Sequence, residues 1–284
     1  MTGGSVHRRI AADLGAVPVR EVPLPGGCIA DVRRIDLADG RTVAAKIAAQ
    51  GGLEPEAWML GYLAAQSPLP VPEVLLAADD LLVLSWLPCG GRLDRPAQRD
   101  AAAHVAALHA VTWTHFGLAR DTLIGPLHQP NPATARWTDF FRDQRLLHMA
   151  RVAREAGRLD AEAHRAVERV AAKLDGYLDE PAAPALIHGD MWGGNVLARG
   201  GRVTGFVDPA IYYADPEIEL AFTTLFGTFG DAFFDAYAAH TGWDRTGFFE
   251  ARRDLYNLYP LLVHAAAFGG PWDREAHAVA GRYA

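Results

Sequence analysis

LIHGDMWGGNVL, residues 186–197, and VTGFVDPA, residues 203–210, form the stretch on which the reading of this chain turns. His188-Gly189-Asp190 precedes Asn195, with four residues between the Asp and the Asn. Asp208 follows thirteen residues after Asn195, at the end of an apolar strand predicted over Val203–Val207. Gly200-Gly201 supplies the hairpin turn between the two segments.

Phosphoryl transfer needs a base beside the acceptor hydroxyl and oxygen ligands for Mg²⁺ that grip the phosphates. A kinase catalytic loop has the form H-R-D-x-x-x-x-N, and a second Asp follows one short hairpin later. The spacing here is the same, so Asp190 is the candidate catalytic base and Asn195 and Asp208 are the candidate Mg²⁺ ligands. A lone His-Gly-Asp could be any turn, and a lone Asn could cap any loop. The two together, with the following strand that ends in Asp, single out a catalytic loop. His188 is expected to be a structural hydrogen-bonding residue rather than a proton carrier.

V-A-A-K at 43–46 closes an alternating strand and resembles the strand that carries the phosphate-contacting Lys of kinases. Lys occurs in this chain only at Lys46 and Lys173, although there are 27 basic residues, so an ammonium kept at a strand end is notable. A helix Glu should hold that Lys. Glu54 and Glu56 are the candidates; Glu56, just inside the helix after Pro55, is favoured. Glu54 sits at the cap, where the helix dipole alone favours an acid. PGGCIAD, residues 25–31, is expected to cover the phosphates through Gly26, Gly27 and Cys28, although it matches neither a G-x-G-x-x-G loop nor a P-loop. Cys28, in such an electropositive loop, is a candidate redox-sensitive thiol, with a small buried hydrophobe as the alternative. Ser85 and Leu87, at a hinge near 85–91, are expected to border the nucleotide, mainly through backbone groups.

The rest of the chain fits two lobes. The first 15 or so residues read as an amphipathic helix. Strands are predicted near 28–37 and 42–48, joined at Asp39-Gly40. A helix with Pro55 in its first turn follows, with an apolar stripe through Leu53, Ala57, Leu60, Leu63 and Ala64. VPEVLLA and LLVLSWL read as short strands. After Pro88-Cys89-Gly90-Gly91 the pattern turns helical over 97–110, over two long runs within 136–178, and from about 216 to the end. The expected fold is α+β and bilobal, protein-kinase-like. A small sheet-rich N-terminal lobe (1–87) would bind ATP, and a larger helical lobe (88–284) would carry catalysis and the acceptor.

Composition removes other classes. The 284 residues are half hydrophobic and about a fifth charged, as in ordinary globular proteins. A net charge of −7 argues against nucleic acid as a partner. Cys28 and Cys89 form no CxxC and no zinc-like spacing. No stretch reaches about 18 uninterrupted apolar residues, so no membrane span is expected. The opening MTGGSVHRRIAADLG lacks the apolar run of a signal peptide, which makes the cytoplasm the expected compartment. There is no G-x-S-x-G elbow, H-E-x-x-H or dinucleotide fingerprint. His104 and His109, five apart, do not share a helix face.

Together these blocks resemble the fructosamine (ketosamine-3-) kinase family of protein-kinase-like small-molecule phosphotransferases. The carriers are HGDMWGGN with Trp192, then Asp208-Pro209-Ala210, AIYYADPEIELAF (210–222), GGCIAD with EAWML, and LYPLLVHAAAFGG (258–270). The resemblance spans about residues 5–270. It implies that Asp190 takes the proton of a sugar hydroxyl and that Asn195 and Asp208 hold Mg²⁺. Lys46, fixed by Glu56, would orient the phosphates of ATP, and Trp192 would line the acceptor pocket. The implied acceptor is a small-molecule or protein-bound ketosamine, phosphorylated on its 3-hydroxyl; the product is unstable and frees the amine. A monomer or weak homodimer is expected. Ser85, where an acid is common, and Asp215, where Gly-His is frequent, depart from the pattern. The alternatives are a kinase of another small hydroxylated amine, such as an aminoglycoside or amino sugar, and a nucleotide-binding pseudoenzyme. The latter would not need Lys46, Asp190, Asn195 and Asp208 all retained.

Overall fold

Gly40 turns the chain at φ +88°, and the strands on either side of it pair in register, Asp36 opposite Thr42 and Val32 opposite Lys46. In this computed structural model, which describes residues 3–24 and 30–284, that hairpin is the centre of the small lobe. Helix α1 (Gly3–Leu14) comes first, followed by β1 (Pro18–Pro23), β2 (Asp31–Leu37), β3 (Thr42–Ile47), α2 (Glu54–Gln66), β4 (Val74–Ala78) and β5 (Leu81–Ser85). The five strands form one sheet in the order β1-β2-β3-β5-β4, every neighbouring pair antiparallel. Strand β1 was not anticipated; its outward Val17 and Val19 flank give it no clean buried alternation. Residues 28 and 29 of the predicted first strand lie outside the described residues.

Both faces of this sheet are covered, which explains the unbroken LLVL of β5. Leu81 and Val83 pack with Ile35, Val43 and Ala45 under Val6 and Ile10 of α1. Leu82 and Leu84 pack with Ala48 against Leu53, at the N-cap of α2, and against Ala57 and Leu60 of α2. Strand alternation therefore puts Lys46, opposite Leu82, on the α2 face.

The larger lobe begins with α3 (Arg95–His109), capped by Asp94, whose carboxylate accepts from Ala97 N. A small hairpin, β6 (Thr122–Ile124) and β7 (Leu127–Gln129), was not legible because three-residue strands carry no periodicity. The first long helical run of the sequence is α4 (Trp137–Phe140), a π-helical stretch Phe141–Leu147 and α5 (His148–Glu155) end to end. The second, α6 (Ala161–Ala171), stops earlier than expected and ends in a 3₁₀ turn at Leu174–Gly176. Then come β8 (Ala185–Ile187), the β9 (Val196–Arg199)/β10 (Arg202–Phe206) hairpin through Gly200 and Gly201, both at positive φ, and β11 (Tyr212–Ala214), which pairs with β8. Helices α7 (Glu217–Leu225), α8 (Asp231–Thr241), the short α9 (Arg245–Gly247), α10 (Arg253–Phe268) and α11 (Trp272–Tyr283) complete the lobe. Its core gathers Trp137, Phe140, Phe141, Tyr212, Phe233 and Tyr256 with the apolar faces of α3, α6, α7 and α10. The lobes meet where Phe206 N donates to Pro70 O and Leu87 lies against Gly205, a position at which a Cβ would come within 2.4 Å of the Leu87 side chain.

Candidate active site

The loop from β8 to β9 is fixed by its backbone. His188 is fully buried; its Nε2 lies 3.0 Å from Val207 O, and its Nδ1 accepts from Asp190 N at 3.3 Å. A carbonyl can only accept, so Nε2 carries the proton. Burial pulls the His188 pKa down, which keeps the ring neutral. Gly189 has φ +85°, and its N–H donates to Glu219 Oε1 at 2.7 Å. A Cβ there would stand 2.1 Å from Ala210 O, so the position needs glycine on both counts.

This strapping leaves Asp190 at the floor of a cavity of about 380 Å³ between the lobes. Asn195 Nδ2 donates to the Asp190 backbone O at 2.8 Å and to its Oδ2 at 3.0 Å. With its amide nitrogen so used, Asn195 presents its carbonyl oxygen elsewhere. Asp208 has φ +55°, the one non-glycine residue at positive φ among the described residues. Such a conformation costs free energy and is held by its surroundings; Ala210 N donates to His188 O, and Gln129 Nε2 donates to Ala210 O.

From the other lobe, Lys46 Nζ lies 2.7 Å from Glu56 Oε1 and hydrogen-bonds Asp208 Oδ1. The Lys46–Glu56 contact has the distance of an ion pair but not the direction of a hydrogen bond, which leaves Oε1 short of a donor. Glu54 turns away and pairs with Arg120 at the surface. Burial alone would pull Lys46 down; the Glu56 and Asp208 carboxylates outweigh it, and the net shift is upward. Burial pushes Glu56 up despite Lys46. Burial, then the neighbouring Asp208 charge, pushes Asp190 up to about 7. A carboxyl group poised there suits proton exchange with a hydroxyl.

The structure thus brings Lys46, Glu56, Asp190, Asn195, Asp208 and Trp192 to one cavity. Ser85 and Leu87 do not line it: Ser85 Oγ accepts from Glu73 N at 2.9 Å, and Leu87 packs on Gly205. Gly26, Gly27 and Cys28 lie outside the described residues; Cys89 is free and exposed. Trp192 is 44% exposed, and its indole lies over Gly194, where a Cβ would come within 2.3 Å of the ring. Glu219 was missed by sequence reasoning. It bridges Gly189 N and His109 Nε2 (2.9 Å), and His109 Nδ1 meets Tyr237 OH at 2.8 Å. A lone carboxylate inside the apolar run IELAF was the available signal. His109 is buried in this network, while His104 sits 3.7 Å from Asp100.

The donor set suits Mg²⁺ held jointly with phosphate. Among the described residues no cluster of three or more His, Cys, Asp or Glu side chains is placed to hold a metal ion. One carboxylate and one amide oxygen match the usual Mg²⁺ arrangement, in which phosphates and water complete the shell.

A five-stranded antiparallel sheet over a helical lobe, with a Lys–Glu pair facing an Asp/Asn/Asp hairpin, defines a protein-kinase-like phosphotransferase, one that transfers a phosphoryl group from ATP to a hydroxyl. The chain belongs to the fructosamine kinase family, whose model matches residues 6–283. A probable ketoamine kinase of Synechocystis sp. is 37% identical over 233 residues, covering 78% of this chain and 75% of that one. The crystal structure of a fructosamine-3-kinase candidate from Thermobifida fusca superposes with a TM-score of 0.88 at 29% identity, over 99% of this chain and 98% of that one. An aminoglycoside phosphotransferase crystallised with AMP-PNP and hygromycin B shares the fold, with a TM-score of 0.67 at 18% identity over 98% of both chains. No helix among the described residues is long and apolar enough to cross a membrane.

Proposed function

We propose that this protein phosphorylates the 3-hydroxyl of ketosamines, ribulosamines or fructosamines formed on amines, and so starts their deglycation. The observation that carries the reading is the meeting of Lys46, Glu56, Asp190, Asn195 and Asp208 in one interlobe cavity that also exposes Trp192. Family membership supports the acceptor class. The N-terminal lobe, residues 1–87, binds ATP. Gly26, Gly27 and Cys28, which lie outside the described residues, are assigned to the phosphates, and the backbone of the hinge after β5 to the base. Residues 88–284 carry the catalytic loop and the acceptor site.

In this reading Lys46, held by Glu56, orients the phosphates, and Trp192 lines the acceptor site. Asn195 and Asp208 would hold Mg²⁺, which supplies charge neutralisation at the transferring phosphoryl group. Asp190 faces the acceptor. Its carboxylate takes the hydroxyl proton as the sugar oxygen bonds to the γ-phosphorus and the bond to the β–γ bridging oxygen breaks, releasing ADP. The 3-phosphorylated ketosamine then loses phosphate by elimination, and the amine is freed by hydrolysis.

A coupled ADP-release assay with ATP and Mg²⁺ tests this on a ribulosamine, a fructosamine and an aminoglycoside, with Asp190→Asn as control. Turnover of a ketosamine that is abolished in the control is the expected result. Turnover of the aminoglycoside alone would move the protein to the second acceptor class. ATP binding with no turnover of any acceptor would favour the pseudoenzyme.

A further inference from the structure

Opposite the Lys46–Asp208 end, the cavity wall comes from Trp192 of the catalytic loop, the β6–β7 turn, α7 and α10. Every residue that the β6–β7 hairpin, α7 with its C-cap Phe226, and α10 contribute to this wall is apolar except His264. Trp192, Phe226 and Phe268 are 44%, 40% and 56% exposed. Three large rings left open around one mouth are a costly arrangement for a surface with no ligand. They also form a contiguous shelf. Trp192 meets Phe226 edge-on at 6.5 Å, Phe226 lies 5.1 Å from His264, and His264 lies 5.8 Å from Phe268.

His264 sets the polarity of the shelf. Its Nδ1 lies 2.7 Å from Pro260 O, a carbonyl that can only accept, so Nδ1 bears the proton. Burial pulls the His264 pKa down, which favours the neutral ring. Nε2 is then a lone-pair acceptor, and no side chain or backbone group among the described residues hydrogen-bonds it. An apolar shelf with one acceptor nitrogen matches a protonated amine that donates one N–H and carries carbon beyond it. Aromatic faces attract such a cation, and apolar carbon is favoured against the outer rings. The cavity floor offers three carboxyl groups, Glu56, Asp190 and Asp208, against the single ammonium of Lys46, a poor setting for a carboxylate-bearing substituent.

We propose that this shelf is the subsite for the amine half of the acceptor, and that it selects ketosamines whose amine carries an apolar, uncharged substituent. The proposal rests on the ketosamine reading above. In it His264 Nε2 accepts the ammonium N–H, and Phe226, Phe268 and Trp192 take the substituent.

The test compares the ketosamine of benzylamine, the ketosamine of glycine and a glycated protein as acceptors, in wild type, Phe226→Leu and Phe268→Ala. Phe268 is more than half exposed, so its truncation leaves the fold intact, which a melting curve checks. The expected result is a kcat/KM for the benzylamine ketosamine about tenfold or more above the other two, the scale of discrimination by an apolar pocket. The two variants should shrink that ratio severalfold with the KM for ATP unmoved. Equal efficiency on all three acceptors, preference for the glycated protein, or a ratio indifferent to both substitutions would overturn the subsite while leaving ketosamine phosphorylation standing. Failure to turn over any ketosamine would overturn both readings.

Discussion

The two ends of the interlobe cavity are built by opposite means. At the floor, Asp190 and Asn195 sit on a loop whose backbone is pinned by Glu219, Val207 and Ala210, and Lys46, Glu56 and Asp208 are locked to one another. At the wall, Trp192, Phe226 and Phe268 touch mainly other rings and remain open. The floor carries desolvated charges whose cost is met only by directed partners. The wall carries apolar surface, which needs no direction and is satisfied when something covers it. Substitutions at the floor should therefore act steeply on kcat, and those at the wall should act by degrees on KM.

The steepest effect belongs to Asp190→Asn, which removes the proton acceptor without changing volume. A kcat loss of about 10²- to 10⁴-fold is expected, with the KM for ATP little changed. A loss that fell on KM instead would break the contrast. Glu56→Gln should lower kcat by about tenfold or more, because it leaves Lys46 buried with one carboxylate fewer. Glu54→Gln, two residues earlier, should change neither activity nor stability measurably, as its ion pair with Arg120 is exposed. Equal effects at the two positions would contradict the pairing.

Asp215 is buried behind the wall, between α7 and α10. Its Oδ1 accepts from Glu217 N at the start of α7, and its Oδ2 accepts from Tyr256 OH on α10, so it ties together the two helices that carry the rings. Burial, then the Glu217 charge, pushes its pKa up to about 7. The folded state therefore holds this proton more tightly than the unfolded chain. The stabilisation is complete below the unfolded value near 4 and is lost as pH rises through about 7. At about 1.4 kcal/mol per unit, the swing is at most about 4 kcal/mol. Urea midpoints measured between pH 4 and pH 8 should fall with pH in the wild type and fall less in Asp215→Asn.

The glycines of the loop separate a strapped position from an open one. Gly189→Ala combines positive φ with a contact to Ala210 O and should cost about 1–3 kcal/mol in denaturant unfolding, and activity with it. Gly193→Ala has open space and ordinary φ and should stay within about 0.5 kcal/mol. Similar costs at both would mean that the loop is not strapped where the geometry places the strap.

The legibility of the chain divides along the same line. The spacing of His188, Asp190, Asn195 and Asp208 and the V-A-A-K strand lie in short segments, where sequence distance and spatial distance are tied by one hairpin. The two-lobed α+β fold followed from the turn signals and the change of pattern after residue 88. The small strands β1, β6, β7 and β11 were invisible, because pairing partners rather than periodicity create them. The wall was invisible for a related reason. Phe226 and Phe268 read as ordinary helix-end aromatics among many, and nothing local marks them as open rather than buried.

By itself the sequence determined the backbone chemistry of the catalytic hairpin: glycines where φ is positive, carboxylates and an amide at fixed intervals, and a Lys that strand alternation sends to the α2 face. Tertiary structure alone decided that Glu219 reaches across 30 residues to hold Gly189, and that rings from three distant segments form one shelf. The physical reason is range. Dihedral preferences and hairpin spacing act within a few residues, whereas charge pairing and apolar contact depend only on where the folded chain puts its surfaces.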